Sequence, residues 1–352
     1  MPVFRVDQLK GICTKILAAV GADKSEAETV AKFLVGANLA GHDSHGVIRV
    51  PQYVKRVKDG MMRPSAPFKI VRETTATALV DGNWGFGQVI GVRAMDLAIA
   101  KAKECGVGVV GVFHCNHIGR LADYPVIASG QNMIGLTVVN ASPQVAAWGG
   151  RTKVLGTNPI CVSIPTNGSP ILLDMATSVV AEGKVRVRRN RGEETPEGWI
   201  MDKEGHPTTD PEALYAGGAI LPFGGVVGYK GYGLSLVVEV LCGALTGAGC
   251  ASSKEFKGGN GVIMGAIKIE SFTPVDSFLG RVEDLVKSVR GSPLAPSACE
   301  ILVPGEPELR EEKRRRERGI VVEDRTWSEI LGVAWDLSVE VESWMLPVAV
   351  GE

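Results

Sequence analysis

The stretch Gly106-Val-Gly108-Val-Val-Gly111-Val-Phe113 matches the G-x-G-x-x-G dinucleotide fingerprint letter for letter. That fingerprint works only where its glycines leave a strand and open a helix, so that a phosphate meets the helix N-terminus. Here the glycines lie inside an apolar run, and Val107–Phe113 reads as a buried strand. A second glycine-rich stretch, Gly85-Phe-Gly87-Gln-Val-Ile-Gly91, follows a strand candidate and precedes a helix candidate, but has one residue too many. No Walker pattern occurs. The sequence therefore predicts an α/β protein without a standard Rossmann nucleotide site.

Working outward, Thr77–Asp81, Ile134–Asn140, Ile160–Pro165, Ile171–Asp174 and Val262–Ile269 are further strand candidates. Gly91–Glu104 and the apolar Gly231–Leu245 are predicted helices, and polar Val185–Asp210 reads as a long excursion. Both chain ends are helical in texture. Leu9, Ile12, Ile16, Leu17 and Val20 recur at helical spacing, and Gly21 stops that segment. Asp23 with Glu26 reads as a capping box for the next helix, and Pro51 suits the first turn of a third, which runs to about Gly60. Val282–Val289, Glu308–Arg318 and Trp327–Leu337 are helical candidates near the other end, the last with Thr326 and Glu329 as a cap pair. The expected organisation is a helical domain from residues 1–72 and 275–352 around a central α/β domain at 73–274.

Composition narrows the function. The 352 residues are 45% hydrophobic, enough for a sizeable core. Net charge is −1, so the basic excess of a nucleic-acid binder is absent. Met1–Lys10 has no continuous apolar core and no run reaches about 18 apolar residues, so neither a leader nor a membrane span is expected. Seven scattered cysteines without a Cys-x-x-Cys pair suit reduced thiols in a cytoplasmic enzyme.

Four of the five histidines fall in two pairs, His42 with His45 and His114 with His117. One reading joins both pairs, with Asp43 or Cys115, into a metal site serving a hydrolase. The preferred reading has no metal and makes His45 or His117 an acid/base group, since histidine titrates nearest neutrality; His42 and His114 are then polar turn residues. His45, Arg49 and Tyr53 are spaced by four and four. An Arg can grip a substrate carboxylate bidentately while a His serves the neighbouring carbonyl oxygen. Equally, Arg49 and Tyr53 could merely pack against the fold. Leu173-Asp-Met-Ala-Thr-Ser178 suits either ribose or phosphate binding or a strand end with a helix cap. Gly228-Tyr-Lys230-Gly-Tyr-Gly233 suits an anion near a helix N-terminus or a simple turn.

Six segments, in order along nearly the whole chain, together resemble the malate/L-lactate dehydrogenase family that is unrelated to the Rossmann-type lactate and malate dehydrogenases. They are Asp43-Ser-His-Gly-Val-Ile-Arg-Val-Pro-Gln-Tyr53, Asn116-His-Ile-Gly-Arg120, Gly156-Thr-Asn-Pro159, Leu172-Leu-Asp-Met-Ala-Thr-Ser178, Gly228-Tyr-Lys-Gly-Tyr-Gly-Leu234 and Val303-Pro-Gly-Glu306. Ala37–Gly46 and His117–Arg120 resemble its hydroxycarboxylate dehydrogenase branch. The resemblance implies a non-Rossmann α/β fold, NAD or NADP as cofactor, and a homodimer with its active site at the subunit boundary. It implies reversible reduction of a small 2-oxo acid to a 2-hydroxy acid, with reduction of a cyclic imine carboxylate as the alternative. His45 would be the proton donor, a task some members give to the histidine at His117; Arg49 and Tyr53 would hold the substrate carboxylate. His45, Gly119, Arg120, Leu121, Asp174, Met175, Ala176, Thr177, Ser178, Lys230, Asn260, Gly305, Glu306 and Pro307 would contact the cofactor. The basic run Lys184–Arg191 is either a solvated loop, the preferred reading, or a site for the 2′-phosphate of NADP.

Overall fold

The computed structural model describes residues 1–347, so 348–352 of the expected helical domain lie outside the described residues. Its central sheet has seven strands in the order Lys69–Glu73, Thr77–Asp81, Val107–Cys115, Asn260–Lys268, Met133–Val139, Ile160–Ile164 and Ile171–Met175. Thr77–Asp81 and Val107–Cys115 run parallel, joined by the crossover helix Gly87–Cys105; every other neighbouring pair is antiparallel. A doubly wound sheet would be parallel with a switch point, and this one is not. The fingerprint-like glycines lie within the strand, as its apolar run predicts. A Cβ at Gly108 would stand 2.0 Å from the Ala98 carbonyl oxygen, so this glycine lets the crossover helix lie directly on the sheet.

The polar excursion is more ordered than its composition suggests. It contains the helix Glu182–Arg191 and the strands Ile200–Met201 and Pro207–Thr208, which join Ala219–Ile220, Val145–Ala146 and Lys153–Leu155 in a second, five-stranded sheet. Local composition hides this order because the helix is held by ion pairs. Arg186 pairs with Glu182, Arg188 with Glu193, Arg189 with Glu212 and Arg191 with Glu323. The preferred reading of this run as a solvated loop is therefore replaced by a paired helix.

The two ends of the chain share one core. Val3–Phe4 pairs antiparallel with Ile320–Val321. Leu9, Ile12, Ile16, Val30, Leu34, Val50 and Tyr53 pack in one cluster with Ile320, Ile330, Ala334 and Met345. Asp23 caps the helix Lys24–Leu39 through the Glu26 amide at 2.9 Å, but the Glu26 side chain leaves the expected box and accepts from the Ser65 amide at 2.7 Å. The last long helix begins at Asp324, so Thr326 and Glu329 lie inside it rather than capping it. Strand Lys69–Glu73 belongs to the main sheet and spans the boundary expected at residue 72.

Ile330 is fully buried in this shared cluster. Ile330→Ala is expected to lower unfolding stability by about 2–5 kcal/mol. Denaturant melts followed by far-UV circular dichroism would measure the loss.

Candidate active site

The site begins where the helix Lys24–Leu39 ends. Two tight turns, Asp43–His45 and Val47–Arg49, precede the helix Val50–Lys58, which has Pro51 in its first turn. His45, Arg49 and Tyr53 therefore do not share one helical face, despite their spacing. The turns are fixed from behind by Asn38, which is buried. Its Oδ1 accepts from the Val47 amide at 2.8 Å and its Nδ2 donates to Asp43 at 2.6 Å. A Cβ at Gly46 would lie 2.2 Å from Asn38 Oδ1, so only glycine allows this contact. Arg315, from the helix Glu306–Arg318, donates to Asp43 at 2.6 Å and to the Asn38 carbonyl at 2.8 Å, which braces the turns from the far end of the chain.

His117 arrives from the end of strand Val107–Cys115. Asn116 before it is fully buried, donates to the Trp84 carbonyl at 2.7 Å and accepts from Arg56 at 2.8 Å. A Cβ at Gly87 would stand 2.3 Å from the His117 carbonyl oxygen, so the crossover helix starts directly against this backbone. The His45 and His117 rings then face each other, centroids 5.5 Å apart and planes 22° from parallel. Tyr53 Oη lies 2.7 Å from His117 Nδ1, and Ser44 Oγ lies 3.0 Å from His45 Nδ1. Arg49 donates from Nε to the Ser44 carbonyl at 2.7 Å and from Nη1 to Gln52 at 2.8 Å.

Burial and positive neighbours set the charge state. Desolvation, followed by Arg49, His42, Arg120 and Lys184, lowers His45 to about 3. Desolvation, with Arg49, His45 and Arg56, holds His117 well below the ordinary imidazole range. Burial pushes the Tyr53 phenol up to about 12. Both imidazoles are thus neutral at pH 7.

The other two histidines are elsewhere. His42 faces Glu308 at 3.8 Å and His114 faces Asp81 at 3.0 Å. Among the described residues no cluster of three or more His, Cys, Asp or Glu stands within metal-binding reach, so the two His-x-x-His pairs do not converge.

Several residues expected at the cofactor come together at the edge of the main sheet. Asp174 accepts from the Ala122 amide at 2.9 Å, next to Gly119–Leu121, and the Leu172 amide donates to the Pro304 carbonyl at 2.9 Å. Gly305, at φ +97°, lies against Leu172 and opens the helix that carries Glu306 and Pro307. A cleft of about 450 Å³ lies here, lined by Arg120, Leu172, Gly305, Glu308 and Glu312 among others. Arg120 forms an ion pair with Asp123, yet Arg120 Nε and Asp123 Oδ2 are buried with no partner among the described residues. Met175 and Ala176 are half-buried at the end of the last strand. The hydroxyls of Thr177 and Ser178 donate to the Asn158 and Val180 carbonyls. Asn260 is buried and donates to the Asn140 carbonyl at 2.8 Å, while Lys230 stands exposed at the start of the helix Tyr229–Val238.

Gln88 was not identified from sequence. It is fully buried one residue inside the crossover helix, and its Nε2 donates to Tyr53 Oη at 2.8 Å. Its one visible mark is a polar side chain at the start of a helix whose buried residues are otherwise apolar apart from Lys101.

The family model for malate/L-lactate dehydrogenase matches residues 4–331. The chain belongs to the malate/L-lactate dehydrogenase family. It is 40% identical over 338 residues to an L-sulfolactate dehydrogenase of Methanothermobacter thermautotrophicus, covering 94% of this chain and 96% of that one. Hydroxycarboxylate dehydrogenase B of Escherichia coli O157:H7 is 33% identical over 349 residues, with 97% and 96% covered, so the expected branch is the less similar of these two. The crystal structure of malate dehydrogenase from Entamoeba histolytica superposes with a TM-score of 0.91 at 32% identity, covering 96% and 98%.

Gly87→Ala forces the crossover helix away from the His117 carbonyl. Misplacement by about 1 Å is expected to cut kcat/KM by about 100-fold. Steady-state kinetics beside a thermal melt would separate this from loss of folded protein.

Proposed function

We propose that the chain is an NAD(P)-dependent dehydrogenase that reversibly reduces a small 2-oxo acid to a 2-hydroxy acid. The facing pair His45 and His117, with Arg49 beside them, carries this reading. The unpartnered Arg120 Nε and Asp123 Oδ2 fit a polar ligand, and a cleft of about 450 Å³ is of ligand-pocket size. When bound there, reduced nicotinamide supplies the hydride that reaches the carbonyl carbon. Arg120, Asp174 and Gly305–Pro307 would hold the dinucleotide.

The remaining chemistry belongs to the chain. The Arg49 fork is fixed by Ser44 and Gln52, and its remaining donors take the substrate carboxylate. Tyr53 supports His117 through its hydroxyl. In the oxidation direction His45, already neutral, removes the hydroxyl proton. In reduction the oxygen needs a proton, so His45 must first be loaded; burial is the main reason it is unprotonated, and the incoming carboxylate offsets the positive field of Arg49 that adds to it. Reduction is accordingly expected to accelerate as pH falls from 8 to 6, up to about tenfold per unit, whereas oxidation is not. Initial rates in both directions across that range test the sign.

Glu308, beside His42, and Glu312, paired with Arg316, add carboxylates to the cleft that disfavour a 2′-phosphate, and the arginines at 186, 188, 189 and 191 are already paired. NADH is therefore expected to outperform NADPH. The decisive experiment assays pyruvate, oxaloacetate, 2-oxoglutarate and a cyclic imine carboxylate with each cofactor. Turnover of the imine alone would replace the reading by its imine-reductase alternative, and wild-type turnover in both His45→Ala and His117→Ala would end it.

Residues 1–72 and 275–352 would form the substrate-side helical domain and 73–274 the cofactor domain, with the reacting pair at their boundary. A homodimer is supported by two exposed apolar surfaces. Leu234, Val237, Val240 and Leu245 stand exposed on one helix, and Val275–Arg290 buries none of its residues. Light scattering would give twice the 37.3 kDa chain mass. Seven free cysteines and the absence, among the described residues, of a helix long and apolar enough to cross a membrane support the cytoplasm as its location.

A further inference from the structure

We infer that Gln88 is a positioning residue that locks His117 as the neutral ring with its proton on Nε2. The inference rests on the proposed dehydrogenase reading and divides the labour between the two histidines. His117 becomes a fixed N–H donor to the substrate oxygen, and His45 carries the transferred proton.

The argument is one of counting protons along a buried chain. Gln88 Nε2 lies 2.8 Å from Tyr53 Oη, and Tyr53 Oη lies 2.7 Å from His117 Nδ1. An amide nitrogen can only donate, so the phenol oxygen accepts from Gln88. The phenol has a single proton, and the acceptor within reach is His117 Nδ1. That nitrogen must therefore be bare, and the proton of the neutral ring sits on Nε2. An imidazolium would place a second donor against Tyr53 and leave the phenol proton without an acceptor. Gln88 and Tyr53 are both fully buried, so water does not rescue it. The charged and titratable groups bearing on His117 are Arg49, Arg56 and His45, and none is a carboxylate that would favour the cation.

Gln88 Oε1 is the independent observation. It is buried and has no hydrogen-bond partner among the described residues. Gln88 presents its donor to Tyr53 with its acceptor unpaired. The Gln88 amide lies beside Gly119, where an added Cβ would stand 3.4 Å from Nε2.

Replacement by carboxylate reverses the chain. In Gln88→Glu the carboxylate accepts from Tyr53, Tyr53 accepts from Nδ1–H, and the imidazolium is favoured. The test is ¹⁵N NMR of histidine-labelled, substrate-free full-length protein, with His117→Asn for assignment. Wild-type His117 is expected to show a bare Nδ1 and a protonated Nε2 at pH 7. Gln88→Glu should move the proton to Nδ1 and raise the titration midpoint by about one pH unit or more. Near-isosteric Gln88→Leu should lose the single tautomer. In kinetics, Gln88→Leu should lower kcat about tenfold or more with KM little changed, since Arg49 still grips the substrate. A wild-type His117 protonated on Nδ1, or the same tautomer and pH profile in wild type and both variants, would overturn the inference. The ring-nitrogen shifts are read without substrate, so failure of the substrate panel and failure of this assignment are separate results.

Discussion

The hydrogen bond between Tyr53 Oη and His117 Nδ1, 2.7 Å long, joins two parts of the chain that fold around different cores. Tyr53 is rooted in the cluster built from both chain ends, whereas His117 closes a strand of the central sheet. The rest of the site depends on bringing these two together without a gap. Gly87 lets the crossover helix touch the His117 backbone, Gly46 lets the preceding turn touch Asn38, and Arg315 ties that turn to the last third of the chain. Each contact removes a degree of freedom from the pair of imidazoles, which is what positions a proton acceptor for chemistry.

Electrostatics follow from the same packing. Arg49, Arg56 and Arg120 act on the two rings, and the carboxylates of Asp43, Asp123 and Glu308 are engaged by Arg315, Arg120 and His42. A positive, poorly hydrated site keeps histidine neutral and attracts a carboxylate. A substrate with that group supplies the missing negative charge.

Glycine plays two distinct parts in this chain. The run at 106–111 looked like a phosphate loop and serves instead as a strand whose Gly108 admits a helix. The glycines at 46 and 87 allow backbone-close packing of functional elements. A residue without Cβ is demanded by close approach in every case, and only the partner of the approach distinguishes binding from packing.

The sequence alone determined the α/β class, the absence of a Rossmann loop, most strand and helix positions, and the segment holding His45, Arg49 and Tyr53. These are local properties, set by hydrophobic period, turn residues and the run of motifs. Tertiary structure decided what local pattern cannot carry. The mostly antiparallel strand order, the second sheet within a polar excursion, and the reassignment of Glu26 and Thr326 depend on partners far along the chain. Gln88 was illegible for the same reason. Its partner Tyr53 is 35 residues away and Tyr53's partner His117 another 64, so the relay exists only once separate elements meet. Which histidine faces which group is likewise a matter of hydrogen-bond geometry, and only the folded chain sets it.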